Sequence, residues 1–372
     1  MSQEVYLIPG FFGFAQLGDI TYFHHVEDEL ARRLKRRGVE AESSAVPTLP
    51  TASIPRRVEQ LVATVQQQGG DGPIHLVGHS RAGLHARLLA TPGLSLPGMA
   101  DQEVAERVES VVSIATPHFG TPTAAFFDGL FGDKLLYVTS LATIYTLQFG
   151  RLPIKLLIKL VGLLTKIDDR VGLEGTVLDE FYEDLFRRFE RENEAEVRAF
   201  LDRIVADQSA LGQLTPGSID LFNAAAADSP DVRYGCVMTR TPRPGLQSLV
   251  AAGLNPYKQV SHSLFQFVHR IAGRGNLERH RVLPEVEAAF GPGWEAPVDE
   301  TDNDGVVPTL SQYWGEVVAA VRADHLDVCG HFDDPSHDPP HVDWLVSGST
   351  FRRPQFEELW GRVADFVAGE GI

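Results

Sequence analysis

The sequence predicts an α/β fold with a mostly parallel sheet flanked by helices, and three features predict it. Short apolar runs of strand length alternate with segments of helical period as far as residue 115. The run Pro73-Ile74-His75-Leu76-Val77 passes directly into Gly78-His79-Ser80-Arg81-Ala82-Gly83, placing a serine on a sharp strand-to-helix turn. Beyond Gly120 the strand pattern stops and does not resume until Tyr234, as expected for a helical insertion into one sheet.

In chain order, residues 5–8 read as a buried strand and 26–37 as a charged amphipathic helix ended by Gly38. A weaker strand follows over 39–46. Residues 54–68 repeat Val58, Leu61, Val62 and Val65 at helical spacing and stop at Gly69-Gly70. The strand ending at the serine comes next, with a helix over 84–90 and a continuous apolar strand over 108–115. Strand, helix, strand, helix, strand is the pattern of a doubly wound sheet. Residues 121–232 read as helical, with a dense apolar stretch from Leu130 to Ile167 and a charged helix over 180–203. Strands return at 234–239 and 316–323, and 351–367 closes the chain as a helix. The Pro- and Gly-rich stretch 241–297 shows no assignable period. The expected organisation is a core of residues 1–120 and 233–372 carrying a cap of residues 121–232.

At 372 residues, 43% hydrophobic with 34 glycines, the chain can bury a large core. Its 33 basic and 50 acidic residues leave a formal charge of −17, which argues against nucleic acid or an anionic membrane as the main electrostatic partner. Cys236 and Cys329 are the only cysteines and read as free thiols rather than a disulfide framework. Met1-Ser2-Gln3-Glu4 lacks the basic start of an export signal, so a cytoplasmic protein is expected unless a leader has been removed. Lys134, Lys155, Lys159 and Lys166 interrupt the most apolar region, so no transmembrane helix is expected.

The turn at Ser80 matches a nucleophile elbow, in which a strained backbone lifts the hydroxyl clear of the sheet and demands small neighbours, here Gly78, Ala82 and Gly83. The plainer reading is a serine capping the next helix. A serine nucleophile needs a histidine base, and the histidine needs a carboxylate to fix its tautomer. In α/β-hydrolases these follow in the order Ser, acid, His. Asp304 in Asp302-Asn303-Asp304-Gly305 and His325 in Asp324-His325-Leu326-Asp327 supply that order. Asp302 is the rival acid, and Asp-Gly is also an ordinary turn pair. His280, His331, His337 and His341 compete with His325, whose place just after a strand favours it. Two backbone donors must meet the developing oxyanion. Arg81, following the nucleophile, is one; Phe11, in Pro9-Gly10-Phe11-Phe12-Gly13, is the other. Phe12, His79 and the stretch from Leu130 to Ile167 are the expected substrate-binding elements.

Several segments together resemble the bacterial family I triacylglycerol lipases of the pseudomonad type: residues 9–14 with Tyr22-Phe23, the elbow, Thr116-Pro117-His118-Phe119-Gly120, Ala210-Leu211-Gly212-Gln213-Leu214 with Phe222-Asn223, Asn303-Asp304-Gly305 and His325-Leu326-Asp327. The resemblance implies an α/β-hydrolase fold, a Ser80–Asp304–His325 triad, oxyanion donors at Phe11 and Arg81, and a mobile helical lid. It implies hydrolysis of apolar acyl esters at a lipid–water interface, without an organic cofactor. It also implies a structural calcium ion with Asp327 as one ligand; Glu285 is the upstream partner by spacing. The family's His-Gly before the first donor is Pro9-Gly10 here, and its second elbow glycine is Ala82. Residues 241–298 and 331–372 do not match. The same triad also serves acyltransferases, thioesterases and phospholipases, and a hydrolase fold without activity can serve as a binding protein.

Overall fold

The computed structural model describes residues 2–11, 13–17, 20–93, 101–128, 139–146, 152–166, 198–200, 202, 209–245, 255–274, 282–291, 294, 296–335 and 343–370. Six parallel strands form the sheet in the order β4-β1-β5-β6-β7-β8: β1 Gln3–Ile8, β4 Ala41–Ala45, β5 Ile74–His79, β6 Val108–Ile114, β7 Arg233–Thr239 and β8 Glu316–Val321. A two-residue ribbon of β2 Gln16–Leu17 and β3 Ile20–Thr21 follows β1. Every strand expected from the sequence is present, with ends shifted by one or two residues.

Successive residues of a strand point to opposite faces, and both faces here are covered. Val5 and Leu7 join a core with α1 (Val26–Arg36) and α11 (Arg353–Ala368), centred on buried Leu30, Leu34, Phe356 and Trp360. Tyr6 and Ile8 face the other way, onto Val58, Leu61, Val62 and Val65 of α2 (Ile54–Gln68) and Ala82, Ala86 and Leu89 of α3 (Ala82–Leu89). The helical period read from residues 54–68 is thus the buried stripe of α2. The short α4 (Asp101–Ala105) precedes β6.

Between β6 and β7 lie helices, as the sequence predicts: α5 (Pro122–Phe127), a helical segment over 139–146, α6 (Ile154–Lys166), α7 (Ser209–Gln213) and α8 (Pro216–Ala225). Most of the charged helix expected over 180–203 lies outside the described residues. Among the described residues, the stretch without assignable period contains two helices, α9 (Pro256–Ala272) and α10 (Pro284–Ala289). Helix α9 packs on α6 and α5, so the layer above the sheet draws on residues beyond 232 as well. No helix among the described residues is long and apolar enough to cross a membrane.

Two buried histidines make the fold sensitive to acid. Burial, helped by Arg233, pushes His75 down to about 4, and burial pushes His269 down to about 4 against the pull of Asp302 and Asp304. In the unfolded chain each protonates near 6.5, so between about pH 6.5 and 4 each of these histidines takes up a proton on unfolding and its contribution to stability falls as pH falls. Thermal melts should show a smaller loss on acidification through this window for His75→Phe than for the unaltered protein; parallel profiles would refute the assignment.

Candidate active site

The elbow is built by close approach. Ser80 has φ 57°, a left-handed conformation that side chains other than glycine rarely adopt, and its amide donates to the Ile114 carbonyl of β6 at 2.7 Å. A β-carbon on Gly78 would lie 2.5 Å from the backbone carbon of Ala82, and one on Gly83 would collide with Thr116. Ala82 itself has room, its methyl lying in the core under α2. The strained turn therefore needs glycine at 78 and 83, and tolerates alanine at 82.

Around Ser80 the chain assembles a continuous polar line. His325 Nε2 is 2.9 Å from Ser80 Oγ, and His325 Nδ1 is 2.8 Å from Asp304 Oδ2. Ser80 is 7% exposed, His325 6% and Asp304 0%. The backbone of His325 also donates to the Asp304 carbonyl at 3.2 Å, fixing one loop on the other. Asp304 Oδ1 accepts from the amides of Val306 and Val307 at 2.9 and 2.7 Å. Its Oδ2 accepts from Thr239 Oγ1 at 2.7 Å and Gln312 Nε2 at 3.3 Å. A buried carboxylate held by so many donors keeps its direction.

The rival acid is committed elsewhere. Asp302 is fully buried, with Arg240 Nη2 at 2.8 Å and Arg243 Nε at 2.9 Å, and accepts from the Asp299 amide. Among the competing histidines, His331 Nε2 donates to the Tyr22 carbonyl at 2.8 Å, while His280, His337 and His341 lie outside the described residues. His118 packs beneath the site: its Nε2 is 2.9 Å from Ser113 Oγ and its amide donates to the Ser311 carbonyl. With Thr121 and Thr123 both donating to the Val306 carbonyl, the Thr-Pro-His segment clamps the loop that carries Asp304.

The two expected oxyanion donors flank the serine. Arg81 follows the serine directly and is the N-cap residue of α3. Its side chain turns away, buried, onto the Ala52 carbonyl. Phe11 lines the same cavity as Ser80 and His325, and a β-carbon on the preceding Gly10 would sit 2.8 Å from Ser80 Cβ. Arg57, fully buried, donates to the Gly10 carbonyl at 2.8 Å and the Pro9 carbonyl at 3.2 Å, holding this strap in place.

Above Ser80 lies a cavity of about 220 Å³. Its wall is almost wholly apolar, with Leu152, Leu157, Leu160 and Leu164 around α6, Leu264 and Val268 of α9, and Leu326 and Trp344 nearer the histidine. Thr143 and Thr146 line it too, but their hydroxyls bond back to the carbonyls of Thr139 and Ala142. Of the expected substrate-binding elements, His79 is not among the lining residues and Phe12 lies outside the described residues. So do residues 130–138, 147–151 and 167 of the apolar stretch.

Asp327, the expected calcium ligand, does not stand alone. Asp324, Asp327 and Asp343 each offer an oxygen within 4.8 Å of one another, whereas Glu285 lies exposed on α10. Asp324 Oδ1 accepts from the Leu326 and Asp327 amides and from Trp344 Nε1, while the buried Asp324 Oδ2 has no hydrogen-bond partner. Burial pushes Asp324 up to about 6; burial and the Asp324 charge push Asp327 and Asp343 well above the carboxylate range. Oxygen-only donors, one unsatisfied, suit a hard divalent cation.

Parallel strands with Ser80 after β5, Asp304 beyond β7 and His325 after β8 define the α/β-hydrolase fold. No protein-family model and no curated protein matches the chain. Among solved structures it is similar to EstA from Clostridium botulinum, at 16% identity and TM-score 0.50, covering 100% of this chain and 89% of that one. It is similar to lipase 1 from Pelosinus fermentans at 18% identity and TM-score 0.50, covering 100% of both chains. Staphylococcus hyicus lipase aligns at 15% identity and TM-score 0.50, covering 99% of this chain and 95% of that one. These likenesses show the fold.

The aspartate cluster makes a metal prediction with a definite sign. A cation must displace protons from carboxylates whose affinity for them is raised, so its stabilising effect grows as pH rises through about 6. Calcium should raise the melting temperature, and chelator lower it, more at pH 8 than at pH 5, with Asp324→Asn insensitive to both. A melting temperature indifferent to calcium at pH 8 would refute a cation site at these carboxylates.

Proposed function

We propose that this protein is a serine hydrolase of carboxylic esters with apolar acyl chains. The line Asp304–His325–Ser80 carries the reading, since its order, distances and burial are those acyl transfer requires. In the proposed reaction Ser80 Oγ attacks the ester carbonyl as His325 Nε2 takes its proton. The oxyanion that forms accepts from the amides of Arg81 and Phe11. His325 then returns the proton to the departing alcohol, leaving an acyl-serine. Water, deprotonated by His325, releases the acid and restores Ser80. Asp304 holds the histidine with Nδ1–H toward the carboxylate and stabilises the imidazolium.

The calcium ion implied by the resemblance to pseudomonad lipases is assigned to Asp327 with Asp324 and Asp343. These residues would hold the loop bearing His325, which the ion would rigidify when bound. The helices after Gly120, together with α9, act in this reading as the cap over the acyl site.

Ser80→Ala should abolish hydrolysis of a p-nitrophenyl ester without loss of fold, and Asp304→Asn should cost about 10⁴-fold in kcat. Asp302→Asn should lower the melting temperature but leave the rate per folded molecule close to normal. Full activity in Asp304→Asn would overturn the acid assignment.

The apolar cavity also predicts chain-length dependence. Each methylene buried in it is worth up to about 0.8 kcal/mol, or about fourfold in kcat/KM. The specificity constant should therefore rise from acetyl toward octanoyl esters, and Leu157→Asn with Leu160→Asn should depress octanoyl far more than acetyl hydrolysis. A preference for acetyl esters in the unaltered protein would exclude the acyl-cavity reading and leave a short-chain esterase.

A further inference from the structure

A second chain of buried polar atoms runs beside Ser80. Tyr22 Oη lies 2.7 Å from His79 Nδ1, and His79 Nε2 lies 2.8 Å from the backbone oxygen of His325. The Gly10 amide hydrogen-bonds the Tyr22 hydroxyl. These contacts admit one polarity. The His325 carbonyl can only accept, so His79 carries its proton on Nε2 and leaves Nδ1 as an acceptor. Tyr22 must then donate to Nδ1, and its oxygen remains available to the Gly10 N–H. Burial raises the tyrosine and lowers the histidine, so both stay neutral and the polarity persists at neutral pH.

The chain abuts the proposed machinery at three points. Gly10 precedes Phe11, His79 precedes Ser80, and the chain ends on His325 itself. The strap bearing Tyr22 is tied to the histidine loop a second time: His331 Nε2 donates to the Tyr22 carbonyl and the His24 amide to the Cys329 carbonyl. Gly330, at φ 95°, lets the two backbones meet there.

We infer that Tyr22 and His79 are positioning residues that hold the oxyanion strap in register with His325 across the nucleophile. This rests on the proposed ester hydrolysis, and it reassigns His79 from substrate contact to the scaffold of the site. Tyr22 also lines the cavity, so direct contact with substrate is the competing role.

The test compares Tyr22→Phe, His79→Leu, His79→Gln and the Tyr22→Phe/His79→Leu double variant on a p-nitrophenyl butyrate assay. Rates are expressed per site titrated with a phosphonate ester. Loss of register should lower kcat about 10- to 100-fold, since small misplacements of reacting groups cost that much. KM should stay within about twofold, because ground-state binding is untouched. A trifluoromethyl ketone, whose adduct carries the oxyanion, should bind more weakly by a factor matching the fall in kcat/KM. The double variant should be no worse than the worse single variant, as links of one chain are not additive. His79→Gln, which keeps a donor for the His325 carbonyl, should recover part of the rate lost in His79→Leu.

A raised KM with unchanged kcat would make Tyr22 a substrate contact and overturn the inference. So would losses confined to the titrated fraction, or losses that multiply in the double variant. Nitrogen-15 NMR of the His79 ring gives a readout independent of activity, with Nε2 protonated in the unaltered protein and the Nδ1 resonance shifted in Tyr22→Phe, where its hydrogen bond is lost. The opposite tautomer in the unaltered protein would refute the chain. Unimpaired hydrolysis by Ser80→Ala would refute the proposed function instead.

Discussion

The left-handed backbone at Ser80 is the constraint on which the site depends. A non-glycine residue at φ 57° is held there only because its surroundings over-determine it. They do so through bare backbone. Gly78 and Gly83 let the turn close on itself, and Gly10 lets the neighbouring strap come within contact of the serine. The bond from the Ser80 amide to β6 then ties the turn to the sheet. Side-chain bulk at any of these glycines would push the hydroxyl out of reach of His325, so the geometry of the site is set by what is absent from the chain around it.

The carboxylate end is constrained by the opposite means, an excess of donors. Asp304 sits on a turn whose own amides bind one oxygen, while Thr239 at the end of β7 and Gln312 bind the other with the histidine. Gln312 also joins the Thr239 amide to the Val307 carbonyl, so the Asp304 loop is sewn to the end of β7. Asp302, two residues earlier and equally buried, faces arginines instead. Two aspartates in one turn thus divide the work, one fixing the loop and the other facing the histidine.

Much of this was legible in the sequence because it is local. A strand running into a small-residue turn marks Ser80, an Asp-Gly turn marks Asp304, and a histidine after the last strand marks His325. What was not legible is set by tertiary approach. Thr239 and Gln312 carry no pattern of their own. Asp343 joins Asp324 and Asp327 from a segment with no motif, displacing Glu285 as the expected partner. His79 looks like any residue beside an elbow until its two neighbours are known. Helix α9 is a different case: Asn255-Pro256, an N-cap whose side chain accepts from the Tyr257 and Lys258 amides followed by proline in the first turn, is a start signal. The surrounding prolines and glycines masked it.

The strand order β4-β1-β5-β6-β7-β8 has a consequence for how the protein comes into being. Each pairing joins strands separated by a helix or more, and parallel sheets of this kind form slowly because loop closure must be met before any contact rewards it. The strap at Gly10, the serine at 80, the acid at 304 and the histidine at 325 meet only when β8 has docked. A chain still emerging from the ribosome therefore carries Ser80 long before His325, and under the proposed mechanism reactivity arrives with the last strand rather than with the first.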